Sequence, residues 1–228
     1  MAKLVQKSGY IKSGKASGYM RYIATREGVE KLAGNGAVTK GQRELIQKLL
    51  HDFPDAAELF EYEDYCKTPT LGTASAFITM ALDANLHEID SESGYMQYIA
   101  TRPRVQKHGS HGLFSSSTSV DLASAMSELE AHEGNVWTII YSLRREDAAR
   151  LEFDNADAWR TLLMENAPTL AKSMKISLNN FHWYAAFHDE GHHPHIHMMV
   201  WSDDPKEGFL TKGGIAAMRS KLTNAIFR

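Results

Sequence analysis

Residues 181–201 read FHWYAAFHDEGHHPHIHMMVW. The two ends, 181–188 and 195–201, are rich in aromatic, Ile, Met and Val residues, while Asp189 to Pro194 are polar with a Gly and a Pro. That pattern predicts a β-hairpin with a long loop. Side chains alternate along a strand, so His195 and His197 share a face with Met199 and Trp201, and Ile196, Met198 and Val200 point into the opposite layer. His188 ends the first strand beside the start of the second and closes over the same spot. An open, exposed face is expected for these ligands. A bare His-x-His also suits a polar pair at a sheet edge; a third His and the nearby Glu190 tip the reading toward a divalent metal held with coordination positions left open.

Working outward, NVWTIIYSL (135–143) has the β-branched and aromatic content of a central strand with both faces apolar. A helical region from about 145 to 175 follows, capped near Asn155 and interrupted at Pro168. After the hairpin come a polar turn, SDDPKEG, and a last amphipathic helix over 211–227. Upstream, 3–11 reads as a short strand. Thr39 with Gln42 makes a capping box for a helix over 40–52. Residues 55–62 and 73–86 are further helical patterns, KHGSHGLFSS is a loop, and SVDLASAMSELEAH (119–132) is an amphipathic helix. This order implies an α+β protein with helices packed on a mostly antiparallel sheet. Core packing is expected for Trp183 and Trp201. The terminal AIFR carries no helix stop signal, which leaves room for a continuation past residue 228.

SGYMQYIATRPRVQK at 93–107 repeats SGYMRYIATREGVEK at 17–31, with eleven of fifteen positions identical. Two copies this alike indicate a duplicated element. Residues 27–97 read as a helical insertion, or duplicated helical unit, within one domain spanning 1–228. Each copy carries a Tyr pair at i, i+3 and an Arg four residues after the second Tyr. Tyr22 with Arg26 and Tyr98 with Arg102 therefore share helix faces. A phenol near a guanidinium or metal ion is helped to act as phenolate.

With 228 residues the chain can bury a sizeable core, and its formal charge of -3 gives no global sign of a polyanion partner. A single cysteine, Cys66, excludes a disulfide framework and a Cys-rich zinc site. No signal peptide and no membrane-length apolar run is present, so a cytoplasmic protein without membrane insertion is expected. G-x-S-x-G, the phosphate loop G-x-x-x-x-G-K-[ST] and H-E-x-x-H are absent, against serine hydrolase, nucleotide-driven and zinc-protease chemistry.

HDEGHHPHIHMMV resembles the third motif of the relaxases of conjugative plasmids and integrative elements, HUH endonucleases of the MobP/MobL type. In that family a His precedes H-U-H by seven residues, U being hydrophobic, with an acid two after the first His. His188, Glu190, His195, Ile196 and His197 occupy those positions. NVWTIIYSLRRED resembles the family's upstream strand, and YIATR matches its first motif at both Tyr22 and Tyr98. The resemblance implies metal-dependent nicking of single-stranded DNA at an origin of transfer, with Mg²⁺ or Mn²⁺ on the three histidines. It also implies a Tyr nucleophile, a 5′-phosphotyrosyl intermediate and reversible religation for conjugative transfer. Glu190 would orient a ligand, and accessory nicking proteins and a coupling protein are the implied partners. Arg26, Arg102, Arg104, Lys107, His108 and His111 are candidate DNA contacts. Tyr22, on the first helix after the first strand, ranks slightly ahead of Tyr98. Rolling-circle initiators carry their Tyr after the histidines, whereas all nine tyrosines here precede His197.

Two other readings stand beside this one. HPHIHMM also fits the motif of histidine-triad nucleotide hydrolases, with His195 as nucleophile, although Pro194 matches poorly and the Tyr repeats have no role there. A catalytically inactive relaxase-like domain that only binds DNA is the third.

Overall fold

The computed structural model describes residues 3–10, 36–85, 96, 99–100, 106, 111–117, 120–132, 134–189 and 193–228. By its internal contacts the chain divides into two compact units, one of residues 1–11 with 91–228 and one of residues 12–90.

The larger unit is built on a five-stranded antiparallel sheet. Its strands are β1 (Val5–Tyr10), β2 (Leu113–Phe114), β3 (Trp137–Ser142), β4 (Phe181–His188) and β5 (His195–Ser202), in the spatial order β1-β3-β5-β4-β2. The histidine hairpin is β4–β5, as its sequence predicts, in a register that sets His188 opposite His195 and Ala186 opposite His197. On its other edge β5 pairs with β3, placing Ser142 opposite His195 and Ile140 opposite His197. β1 then pairs with β3, so the row continues to Lys7.

Period-two alternation sorts the sheet into two faces. Ile139, Tyr141, Trp183, Ala185, Phe187, Ile196, Met198 and Val200 lie on one face and form the core. Helix α6 (Ala156–Ser173) covers it with Trp159, Leu162, Leu163 and Leu170, and α7 (Lys212–Ile226) with Met218, Leu222 and Ile226. Burying aliphatic side chains of this kind stabilises by roughly 1.5–3 kcal/mol each. The opposite face carries His188, His195 and His197.

Local signals set the helix starts. Asn155 caps α6 by accepting from the Ala158 N–H, and Thr211 caps α7 by accepting from the Gly214 N–H. Asp121 caps α4 (Leu122–Glu130) the same way, so that helix starts later than the predicted 119. The short α5 (Arg145–Arg150) follows β3 directly. Gly214 is required by close approach: a Cβ there would lie 2.4 Å from the backbone oxygen of Ser173, at the end of α6.

Two expectations are corrected. Pro168 does not interrupt the helical region; α6 runs through it. Proline removes the N–H that would bond the Met164 carbonyl. Met164 is among the exposed hydrophobics, where water can take that carbonyl, while Trp159 and Leu163 before the proline and Leu170 after it bury in one core. KHGSHGLFSS is not all loop, because Leu113 and Phe114 pair with Ala186 and Ala185 as the edge strand.

The smaller unit is mostly helical where described, with one isolated β-bridge between Ala37 and Thr70. α1 (Lys40–Asp52) opens on the predicted capping box: the Gln42 N–H donates to Thr39 Oγ1 and the Thr39 N–H to Gln42 Oε1. Gln42 Nε2 also donates to the Leu71 carbonyl and to Ser75 Oγ, tying α1 to α3 (Leu71–Asn85). Between them lie a 3-10 turn (Pro54–Glu58) and α2 (Phe60–Lys67).

Candidate functional site

Antiparallel register places the three predicted ligands together at one end of β4 and β5. The ring centroids are 4.6 Å apart for His188 and His197, 5.0 Å for His195 and His197, and 5.2 Å for His188 and His195. One ring nitrogen from each lies within 4.8 Å of the others. Ligands about 2.1 Å from one ion are at most about 4.2 Å apart, so small side-chain rotations suffice to bring all three onto it. The expectation of an exposed face is corrected: His188 and His197 are 0% exposed and His195 1%. β5 lies between β3 and β4, so its side chains have neighbours on both sides.

Backbone carbonyls select the tautomers of two rings. His188 Nε2 lies 2.8 Å from the Ile99 carbonyl oxygen, and His195 Nδ1 lies 3.0 Å from the His193 carbonyl oxygen. A carbonyl only accepts, so each of these nitrogens carries the proton. The lone pairs are then on Nδ1 of His188 and Nε2 of His195. Orientation of a ligand imidazole through its other nitrogen is the usual arrangement around a metal. Three neutral nitrogen donors in a buried cluster fit a divalent cation.

The described residues on either side of the hairpin turn are held by several bonds. The Leu143 N–H donates to the Pro194 carbonyl, and Arg145 forms an ion pair with Asp189. The Gln106 N–H donates to the Phe187 carbonyl, next to His188. Buried His193 supplies the carbonyl that fixes His195. Sequence reading missed these backbone roles because they belong to no side-chain type. Lys7 was missed as well: it is buried, at 6% exposure, on the histidine face of β1. The alternation of the strand carries that signal, since Lys7 is in phase with inward-facing Val5.

Tyr141 and Tyr184, elsewhere in the sheet, are poor nucleophiles. Tyr141 points into the core, where burial raises its phenol. Tyr184 is on the histidine face, but burial and then its hydrogen bond to Glu128 push it up to about 12. Its hydroxyl donates to Glu128 Oε2 at 2.9 Å. Trp183 is core, and Trp201 is buried with the His182 ring stacked on it at 5.7 Å.

Tyr22, Tyr98, Glu190, Arg26, Arg102, Arg104, Lys107 and His108 lie outside the described residues. His111 is buried: its Nδ1 accepts from the Leu113 N–H, and its Nε2 donates to the Val120 carbonyl. A DNA contact from His111 would require those bonds to open.

No match exists among curated proteins or solved structures. A model of the MobL relaxases matches residues 1–227. An α+β sheet bearing a histidine trio, with that match over almost the whole chain, makes this protein a member of the MobL relaxase family, and thus a DNA relaxase acting on single-stranded DNA at an origin.

Proposed function

We propose that the relaxase reaction is HUH-type transesterification. His188, His195 and His197 hold Mg²⁺ or Mn²⁺, and a repeat tyrosine attacks the scissile phosphate. The convergence of three buried imidazoles within 4.8 Å, two with their tautomers set by carbonyls, carries this reading. A bound divalent ion supplies Lewis-acid polarisation of a phosphoryl oxygen, and neutral imidazoles leave its charge undiminished. The phenolate oxygen forms the new bond to phosphorus and the bond to the 3′ oxygen breaks. That oxygen takes a proton as the free 3′-hydroxyl, and the 5′ side remains as phosphotyrosine. Because the ester retains the bond energy, the hydroxyl can reverse the step and religate the strand.

Of the two candidates, we place Tyr98 first. Ile99, its neighbour in the chain, accepts the hydrogen bond that orients His188. Tyr22 stands second on its matching motif. Glu190 is proposed to orient a ligand from the hairpin loop. Arg26, Arg102, Arg104, Lys107 and His108 are proposed to contact the strand. We read residues 1–228 as one relaxase domain, with 27–97 a helical insertion or duplicated unit within it.

The test is nicking of candidate origin DNA with Mn²⁺ or EDTA, followed by mass spectrometry of the tyrosyl peptide. Metal-dependent nicking with an adduct on Tyr98 or Tyr22 supports the reading. Cleavage that persists in EDTA, or an adduct on neither copy, overturns it.

A further inference from the structure

Lys7 is two strands from His197 in a single cross-sheet row, Lys7–Ile140–His197. Directly opposed residues of antiparallel strands project to the same face, so the ammonium stem and the imidazole trio share one surface. Adjacent strands are about 4.8 Å apart, which puts the two backbones about 10 Å from each other. The four-carbon stem of lysine covers much of that gap.

Lysine is rarely buried, yet Lys7 is 6% exposed. Strand register places Val5 of its own strand and Thr138, Ile140 and Ser142 of β3 on the same face, the last of these opposite His195. A cation and a set of metal ligands on one surface are both suited by an anion long enough to span them. A phosphodiester backbone is such an anion, because its charges recur along the strand.

We propose that Lys7 is a substrate-positioning residue whose ammonium holds a non-bridging oxygen of the phosphodiester backbone beside the histidine trio. This rests on the reading of the trio as the nicking site. Lys7 sets the register of the strand and contributes to its affinity, while the histidines act at the scissile phosphate.

The test is binding of fluorescein-labelled oligothymidine, about 30 nucleotides long, to the full chain across a salt series, with Mn²⁺ binding measured in parallel. For Lys7→Met the expected result is about a five- to tenfold weaker affinity at low salt. The slope of log affinity against log salt should fall by about 0.7, one phosphate on a single strand. Mn²⁺ affinity should be unchanged, and Lys7→Arg should restore most of the slope. Wild-type affinity and slope in Lys7→Met would overturn the proposal. So would weakening in Lys7→Met that Lys7→Arg fails to restore, because a packing role would then account for it. A wild-type chain that binds no Mn²⁺ would instead sink the metal reading, and the salt slope would still decide the role of Lys7.

Discussion

The His188 imidazole donates from Nε2 to the carbonyl of Ile99, 2.8 Å away and 89 positions earlier in the chain. One bond thus joins the end of the histidine hairpin to the second repeat, the element that contains Tyr98. It fixes which nitrogen of His188 faces the other two rings and places a residue adjoining a candidate nucleophile against a candidate ligand.

That relationship leads to a ranking by substitution. Tyr98→Phe is expected to abolish the covalent DNA adduct, while Tyr22→Phe retains part of it. Phenylalanine keeps the ring and removes only the hydroxyl, so a lost adduct reports chemistry rather than packing. Mapping the adduct solely to residues 17–31 would reverse the order.

Loss of any of the three histidines should be severe. Outer partners of metal ligands already cost about 10–100-fold, so His188→Ala, His195→Ala and His197→Ala are each expected to lose at least about a hundredfold in Mn²⁺ affinity and in nicking. Because all three rings are buried, each variant should also lose about 1–3 kcal/mol of stability. Calorimetric titration with Mn²⁺ and thermal melts separate the two effects. His193→Ala should be milder at the metal, since the carbonyl that sets His195 belongs to the backbone.

Metal removal should show in stability as well as activity. A ligand at a hundred times its Kd stabilises the folded state by about 2.7 kcal/mol, so EDTA should lower Tm and Mn²⁺ should restore it. A Tm indifferent to saturating Mn²⁺ would count against the trio as a metal site.

Tyr184 provides a pH test with a definite sign. Its folded-state value is raised to about 12 from 10.0, first by burial and then by Glu128. The stabilisation is therefore fully present below about pH 10 and fades as pH rises through about 12. Tyr184→Phe should cost under about 1.5 kcal/mol at neutral pH and leave adduct formation intact. The gap between variant and wild type should narrow in alkali, as read by urea denaturation across pH.

At Gly214 the prediction concerns the scaffold. A methyl group there meets the Ser173 backbone, so Gly214→Ala should destabilise by about 1–3 kcal/mol through separation of α6 and α7. A denaturant midpoint equal to wild type would show that the helices yield without cost.

The hairpin, the Thr39–Gln42 box and the Asn155 cap were legible because each is written in a short window with one dominant cause: alternation or a side-chain oxygen at a helix start. The pairing of Leu113 and Phe114 was not, since two residues carry no period and their partners lie some seventy positions away. Passage of α6 through Pro168 was hidden for a related reason, as tertiary burial on both sides outweighs the local penalty. The gathering of His188, His195 and His197 was legible in their spacing, but not their burial. That depends on β5 being an interior strand, which only the sheet order reveals.

The split of the larger unit bears on how the chain folds. β1 finds its partner β3 only after more than a hundred intervening residues have been made, so the row that carries Lys7 closes late. Ring-closure entropy rises slowly with length, each doubling costing only about 0.6 kcal/mol. The intervening helices therefore burden equilibrium stability little, whereas high contact order slows the docking of the first strand. During synthesis β1 and β3 are both made before the hairpin that bears the histidines, so their pairing can begin before β4 and β5 emerge. The row from Lys7 to His197 is then complete only when β5 adds to the other edge of β3.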